Sequence, residues 1–402
     1  MAQERKVRVL HVITRMIVGG AQENTLFTAA LQTKNPRYDV TLLTGVDDGL
    51  EGDLHDAARA EGVRLVIEPL LVRPIRPLRD LRALLSLRRF MEDGRYDIVH
   101  THSSKAGILG RMAAHRARVP IIVHTLHSLV FHEYEKAWKN ALYIALKRLC
   151  APWTDSFISV NQKTLDGALA HGIGAPEKHV KIFSGMDLRP FLNISKELSA
   201  AQARKQAGIP EAALVVGKVA RLFPLKGHDL FMDAAAKIAA VRPDVHFLLV
   251  GGGVLRDALE GQALKLGILD RVHFSGLVRP EQVPALIQAM DVVVHSSLRE
   301  GIARVIPQAG AVGKPVVTFE MDGAPEVIRN GLSGYLAPPQ DTAVMAQRVV
   351  ELLASETDRA RMGQEGQKFA RENYSAGLMV DRINAVYERL IVAKKLVLES
   401  QA

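Results

Sequence analysis

Two cations stand close together in VVGKVARLFPLKGHDL, where Arg221 and Lys226 follow a β-branched run and precede a helical pattern. At the carboxyl edge of a parallel sheet such a pair suits a pyrophosphate, because ligands bind beyond the strand ends and the next helix adds positive potential. Surface cations are otherwise common, so the pair gains meaning from its neighbours. The following apolar run ends in VGGGVLRDAL, where Gly251 and Gly253 open another turn into a helix. A later run ends in HSSLREGIARVIPQAGAVGKPVV. Here Glu300 lies in a strand-to-helix loop, Gly301 permits close approach, and Gln308 follows eight residues on, about two helical turns along one face. A carboxylate and an amide so spaced suit sugar and ribose hydroxyls.

Other residues with chemical potential lie in the first half. In TRMIVGGAQE, Gly19 and Gly20 precede a helical segment; consecutive glycines there allow positive φ and let a ligand approach the amides of a helix N-terminus, though a tight turn needs them equally. His100 and His102 alternate at strand spacing and share one face, and the sequence offers no third ligand for a metal, so a structural or site-lining role is expected. No Asp-x-Asp occurs, which leaves a metal-held diphosphate without visible ligands. The stretch RPIRPLRDLRALLSLRRF, residues 73–90, carries six arginines with Leu78, Leu81, Leu84, Leu85 and Leu87. It reads as a crossover helix whose leucines face a sheet, or as a basic amphipathic helix that contacts an anionic membrane peripherally.

Parallel sheets are what must position these groups. Short β-branched runs alternate with amphipathic stretches: Lys6 to Ile13, Tyr38 to Thr44, Val63 to Ile67, Tyr96 to Thr101, Pro120 to Thr125, Ser156 to Val160 and Val180 to Phe183. A second series runs through Leu214 to Val219, Val245 to Val250, Arg271 to Phe274, Val292 to His295 and Pro315 to Phe319. Each series predicts a doubly wound α/β domain with right-handed crossovers. The expected organisation is a first domain over 1–185, a linker over 186–212, a second domain over 213–375 and a C-terminal helix over 376–402. That helix either crosses back to the first domain or caps the second.

At 402 residues the chain suits two such cores. One cysteine, Cys150, and no Cys/His cluster argue for a reducing compartment without structural zinc. No run approaches the about 18 apolar residues of a membrane span, so a cytoplasmic protein is expected, peripheral to the inner membrane face if the basic stretch engages it. The net charge of +9 favours anionic partners. Aromatic residues are only 5% and none interleaves with a basic run, which argues against nucleic acid.

Taken in order, VLHVITRMIVGGAQ, DIVHTHSSKAGILGRMAAH, VHTLHS, KIFSGMD, VARLFPLKGHDL, LLVGGG, REGIARVIPQAGAVGKPVV and GAPEVIRNGLSGYL resemble family 4 of the glycosyltransferases. The resemblance spans nearly the whole chain. It implies the GT-B fold, two Rossmann-like domains facing across a cleft, and a retaining, metal-independent transfer from a nucleoside-diphosphate sugar to a glycan or lipid-linked acceptor, with no cofactor. Gly20 matches the loop near the donor phosphates, and Arg221 and Lys226 match the pair that neutralises the diphosphate. Glu300 matches the first acid of the family's Glu, seven residues, Glu element. Backbone amides of Gly301, Ile302, Ala303, Arg304 and Val305 are implied to line the sugar and phosphates. His127 in VHTLHS is implied to contact the sugar or its leaving phosphate. The chain departs from the pattern at the second acid, where Gln308 stands; an amide bonds a ribose hydroxyl without a carboxylate's charge or second acceptor oxygen.

The implied mechanism is electrostatic: donor binding, domain closure, and departure of the diphosphate stabilised by Arg221 and Lys226, with the acceptor attacking on the same face and giving its proton to the leaving phosphate. The rivals are an epimerase or hydrolase of nucleotide sugars on the same fold, and a noncatalytic nucleotide-sugar-binding protein. Glu300, Arg221, Lys226 and His127 together speak against a decayed site.

Overall fold

The computed structural model describes residues 5–46, 52–132, 135–194, 199–396 and 398. It divides into two compact units, the first built from the chain up to Met186 and from Ala376 onward, the second from Asp187 to Ser375.

In the first unit the chain runs β1 (Val7–Ile13), α1 (Gly20–Thr33), β2 (Tyr38–Thr44), α2 (His55–Ala60), β3 (Arg64–Ile67), α3 (Pro77–Gly94) and β4 (Ile98–Thr101). It continues through α4 (Ser104–Arg116), β5 (Ile121–Leu126), α5 (Ala137–Cys150), β6 (Ser156–Ser159), α6 (Gln162–Ala170) and β7 (His179–Lys181). All neighbouring strands are parallel, in the order β3-β2-β1-β4-β5-β6-β7. The apolar runs are nearly continuous because helices cover both faces. Along β1, Val7, Val9 and Ile13 join one core with α1, while Leu10 and Val12 join the other with α3 and α4. The glycines of AGILGRM serve this packing: a Cβ at Gly107 would lie 2.4 Å from His124 Cε1, and one at Gly110 2.8 Å from Thr101 Cγ2.

The second unit holds α7 (Arg189–Leu192), α8 (Ala200–Gln206), β8 (Leu214–Val219), α9 (His228–Val241), β9 (Val245–Val250), α10 (Arg256–Lys265), β10 (Val272–Gly276), α11 (Val283–Gln288) and β11 (Val292–His295). Then come α12 (Val305–Val312), β12 (Val316–Phe319), α13 (Ala324–Val327), β13 (Gly334–Ala337), α14 (Thr342–Ala354) and α15 (Glu356–Asn373). Its parallel sheet is ordered β10-β9-β8-β11-β12-β13. The edge strand β13 went unread in the sequence, since four residues opening on a glycine carry too little periodicity.

The stretch 186–212 is more than a connector. The described part of it contains α7 and α8; α8 opens with a reciprocal capping box between Ser199 and Gln202, and Arg204 donates to Ala289 O at 2.9 Å and Asp291 at 3.1 Å. These contacts tie it to the second unit, while 195–198 lie outside the described residues. The last helix, α16 (Ala376–Ala393), belongs to the first unit: Met379, Val380, Ile383 and Tyr387 share a core with Leu26 and Ala29 of α1, and Tyr38 donates to Glu388 at 3.1 Å. Of the expected helical span, 397 and 399–402 lie outside the described residues.

Helix α3 divides its leucines. Leu84 and Leu87 are buried, whereas Leu78, Leu81 and Leu85 are 80%, 55% and 55% exposed, so the crossover account holds for only part of the apolar face. Helix α5, packed like α3 against α4, also exposes Trp138, Leu142 and Leu149. Among the described residues no helix is long and apolar enough to cross a membrane.

Candidate active site

Strand order reverses between β1 and β4 in the first sheet and between β8 and β11 in the second, and ligands of doubly wound sheets bind beyond the strand ends at these switch points. Arg221 and Lys226 follow β8 and Glu300 follows β11, so all three flank the second switch point.

The two loops there are stitched together. Leu225 and Gly227 both take positive φ, 67° and 62°, and a Cβ at Gly227 would lie 1.8 Å from Ser296 O, so only glycine permits the approach. Leu298 N donates to Leu225 O at 2.9 Å, and Ser296 Oγ donates to Gly227 O at 2.6 Å. This closure sets the Lys226 ammonium against the Glu300 carboxylate in an ion pair. The Glu300 backbone N–H in turn donates to Asp322 Oδ2 at 2.6 Å. Arg221 is exposed in the same loop, its guanidinium carbon 5.4 Å from the Phe223 ring centroid, and its carbonyl accepts from His228 Nε2 at 2.9 Å.

Beneath the pair lies a buried charge. Lys218, in β8, is 1% exposed and donates from Nζ to Ser296 Oγ at 2.9 Å. Burial, then the like charge of Lys226, pull its ammonium down to about 7, against a smaller opposing pull from Glu300. His228 is brought to about 4 by burial, and buried His295 is held neutral in the same way.

Glu300 and Gln308 do not share a helical face. Helix α12 starts only at Val305, because residues 300–304 form an irregular turn held by Asp322. Gln308 is half-buried on α12 and Glu300 lies in the loop before it. Ala303 and Val305 are buried through their side chains, so they offer a ligand only backbone groups, while Ile302 and Arg304 are half-buried. Glu300, Gly301 and Ala303 line a small cavity with His295, Ser297 and Asp322.

Gly251 and Gly253 have a packing reason. Leu222 N donates to Gly252 O at 2.9 Å, and a Cβ at 251 or 253 would meet Ala220 O at 2.1 Å or Leu222 O at 2.4 Å. The glycines let two adjacent loops extend the β8–β9 pairing.

Gly19 and Gly20 depart from the positive φ expected of them. Gly19 is extended at 176° and Gly20 is the first residue of α1. A Cβ on Gly19 would approach only the mobile end of Gln22, at 2.9 Å. The fold does not demand glycine there, and Gly20 leaves the α1 N-terminus exposed.

His127 follows β5 and is joined to a buried network. Its Nε2 lies 3.3 Å from His102 Nδ1, His102 Nε2 lies 3.1 Å from His11 Nδ1, and His11 Nε2 lies 2.8 Å from Gln32 Oε1. His100 sits beside them, bonded to the Tyr387 hydroxyl at 2.6 Å and Thr125 Oγ1 at 2.7 Å. His11 is thus the third histidine that the sequence did not supply beside His100 and His102. All six ring nitrogens of these three already have hydrogen-bond partners, so the arrangement is a satisfied polar network. Burial lowers His11 and His127 to about 4 and keeps His100 and His102 neutral.

Sequence reasoning passed over several of these groups. Lys218 was legible as a lysine inside the apolar run LVVGKV, and Asp322 as an acid three residues beyond β12. Gln32 and Asn384 carried no signal, being polar residues on amphipathic helices.

The family model described as "Glycosyl transferases group 1" matches residues 199–369, and the "Glycosyl transferase 4-like domain" model matches 19–182. A UDP-Gal:alpha-D-GlcNAc-diphosphoundecaprenol alpha-1,3-galactosyltransferase of Escherichia coli is 28% identical over 97% of this chain and 98% of its own length. A D-inositol 3-phosphate glycosyltransferase of Salinispora arenicola is 31% identical over 75% of this chain and 70% of its own. Among solved structures, Anabaena HepE in complex with UDP and glucose matches with a TM-score of 0.80 at 24% identity, covering 95% of this chain and 99% of that one. Two parallel α/β units with this likeness define the GT-B class. The chain belongs to the group 1 glycosyltransferases, the family 4 type, and is a glycosyltransferase.

Proposed function

We propose that this glycosyltransferase binds a nucleoside-diphosphate sugar on its second unit and transfers the sugar with retention of configuration, without a metal ion. The observation that carries the reading is the Lys226–Glu300 ion pair at the second switch point, with Arg221 in the same loop. An arriving diphosphate meets both cations and the first turn of α12, and competes with Glu300 for Lys226. The released carboxylate then accepts from sugar hydroxyls. Arg221 and Lys226 meet the charge that develops on the leaving phosphate, the role a metal fills elsewhere. In the transfer the anomeric carbon loses its bond to the phosphate oxygen and gains one to the acceptor oxygen on the same face; the acceptor proton passes to the leaving phosphate. His127 meets the donor at the sugar or its leaving phosphate, and Gln308 contacts the ribose. A UDP donor is supported by the HepE complex and by the name of the Escherichia coli relative. Donor turnover should survive EDTA, measured as UDP release with the best donor of a nucleotide-sugar panel. Complete loss restored by magnesium or manganese overturns the metal-free reading.

A membrane-bound, lipid-linked acceptor is supported by the exposed leucines of α3 set among Arg73, Arg76, Arg82, Arg88 and Arg89, and by the diphosphoundecaprenol in that relative's name. Such a face inserts leucine among acyl chains while arginine meets anionic headgroups. Leu78→Ser, Leu81→Ser and Leu85→Ser together should abolish cosedimentation with anionic phospholipid vesicles and leave Tm unchanged. Full retention of binding overturns this part.

A further inference from the structure

The histidine network of the first unit has a direction. We propose that Gln32, held by Asn384 of the C-terminal helix, fixes which nitrogen of His127 carries hydrogen, so that His127 presents a bare Nδ1 to the donor sugar. This rests on the reading above that His127 meets the donor.

A neutral imidazole has one N–H and one lone pair. Gln32 is fully buried, and its Nε2 donates to Asn384 Oδ1 at 2.7 Å, which turns its Oε1 toward His11. A carbonyl oxygen only accepts, so His11 carries its hydrogen on Nε2, the atom 2.8 Å away. His11 Nδ1 is then a lone pair and accepts from His102 Nε2 across 3.1 Å. By the same logic His102 Nδ1 accepts from His127 Nε2 across 3.3 Å. Nδ1 of His127 is left bare. The inference needs every ring neutral, and burial supports this by lowering His11 and His127 to about 4 and His102 well below its ordinary value. His100 buttresses the row, its ring centroid 4.3 Å from that of His102, while its own nitrogens are taken by Tyr387 and Thr125.

The consequence is selective. A bare nitrogen accepts from a hydroxyl and is mismatched to a phosphate oxygen, which also only accepts. Of the two contacts open to His127, sugar or leaving phosphate, the network favours a sugar hydroxyl. The selecting residue, Asn384, lies on α16, so the C-terminal helix acts on the site through hydrogen-bond order as well as through packing. Gln32 and Asn384 are positioning residues.

The test is nitrogen NMR of the full-length protein labelled at histidine, with assignments from His11→Phe, His102→Phe and His127→Phe. The expected spectrum has His127 protonated on Nε2 and bare on Nδ1, before and after UDP is added. Gln32→Glu keeps an acceptor toward His11 and should keep that form. Gln32→Met removes it and should give a mixture, with donor KM raised roughly fivefold, the value of one neutral hydrogen bond, and kcat little changed. Asn384→Leu, which frees the amide to turn, should give a smaller shift the same way if Gln32→Met does not fold. His127 protonated on Nδ1 in the parent protein, or an unchanged spectrum in both Gln32→Met and Asn384→Leu, overturns the proposal. A mixture in Gln32→Met with unchanged donor KM leaves the network standing and overturns instead the contact between His127 and the sugar.

Discussion

The two switch points share a topology and differ in electrostatics. In each unit a buried polar residue of the central strand reaches the end of the strand across the reversal: His11 of β1 meets His102 after β4, and Lys218 of β8 meets Ser296 after β11. In the first unit the groups are neutral and hydrogen-bonded in series. In the second they are charged, with Lys218 beneath a Lys226–Glu300 pair and Arg221 beside it. The same topology therefore presents two kinds of edge. A neutral, directional edge orients hydroxyls at little cost in desolvation, whereas a cationic edge attracts and stabilises phosphate charge. The glycines beside the strand ends divide likewise, since Gly227, Gly251 and Gly253 of the second unit are required by backbone approach and Gly19 of the first is not.

Removing charge from the second edge should have the largest effect. Arg221→Ala and Lys226→Ala should each lower kcat on the order of 100-fold, with Tm nearly unchanged for the exposed Arg221 and lowered slightly for Lys226, whose loss leaves the part-buried Glu300 without its ion-pair partner. Near-native turnover in both variants erases the functional half of the comparison. Next comes Gly253→Ala, which forces a Cβ onto Leu222 O and should cost about 1–3 kcal/mol, read as a fall in Tm, while Gly19→Ala should leave Tm within error. Equal shifts in the two would show the glycine contrast to be false.

Lys218 sharpens the comparison through pH. In the unfolded chain its ammonium persists up to the ordinary 10.5, but in the fold it loses its proton near 7. Between these values the unfolded state holds the extra proton, so stability rises with pH across the window, and the full cost of the buried charge is present below 7. Lys218→Met should therefore raise Tm most near pH 6, by several degrees, with the gain shrinking towards pH 10. Lys147 is lowered to about 7 as well, so parent and variant are compared at each pH to isolate Lys218. A gain constant with pH means that Lys218 holds its proton in the fold as tightly as in the unfolded chain, and that burial does not lower it. For His11 and His127, neutral in the fold down to about 4, the same argument makes stability fall on acidification below about 6.5.

The smallest effect is expected at Gln308. Gln308→Glu offers a charged acceptor near the α12 N-terminus and should lower donor KM by at most about tenfold, with kcat little changed. Steady-state kinetics decide it; a fall in kcat at constant KM moves Gln308 into the chemistry.

Much of the fold was legible because strands buried on both faces must be apolar throughout, as in Val245–Val250 and Val292–His295. Gly334–Ala337 was not, being short and at an edge. The loop groups Arg221, Lys226 and Glu300 could be singled out as candidates because strand ends are where doubly wound sheets bind ligands. The helical face joining Glu300 to Gln308 failed, because an irregular turn has no period to count, and the close approach of the neighbouring loop to Gly251 and Gly253 was invisible in the sequence.

By itself the sequence determined most of the elements, their parallel pairing and the kinds of groups at the strand ends, since periodicity and residue type are local properties. Only the tertiary structure decided that Lys226 pairs with Glu300, that α16 belongs with the first unit, and that His11, Gln32 and Asn384 continue a line from His127. Those partners lie as far as 352 residues apart in the chain, and hydrogen bonds with a direction exist only once packing brings the atoms within about 3 Å and excludes the water that would otherwise satisfy them.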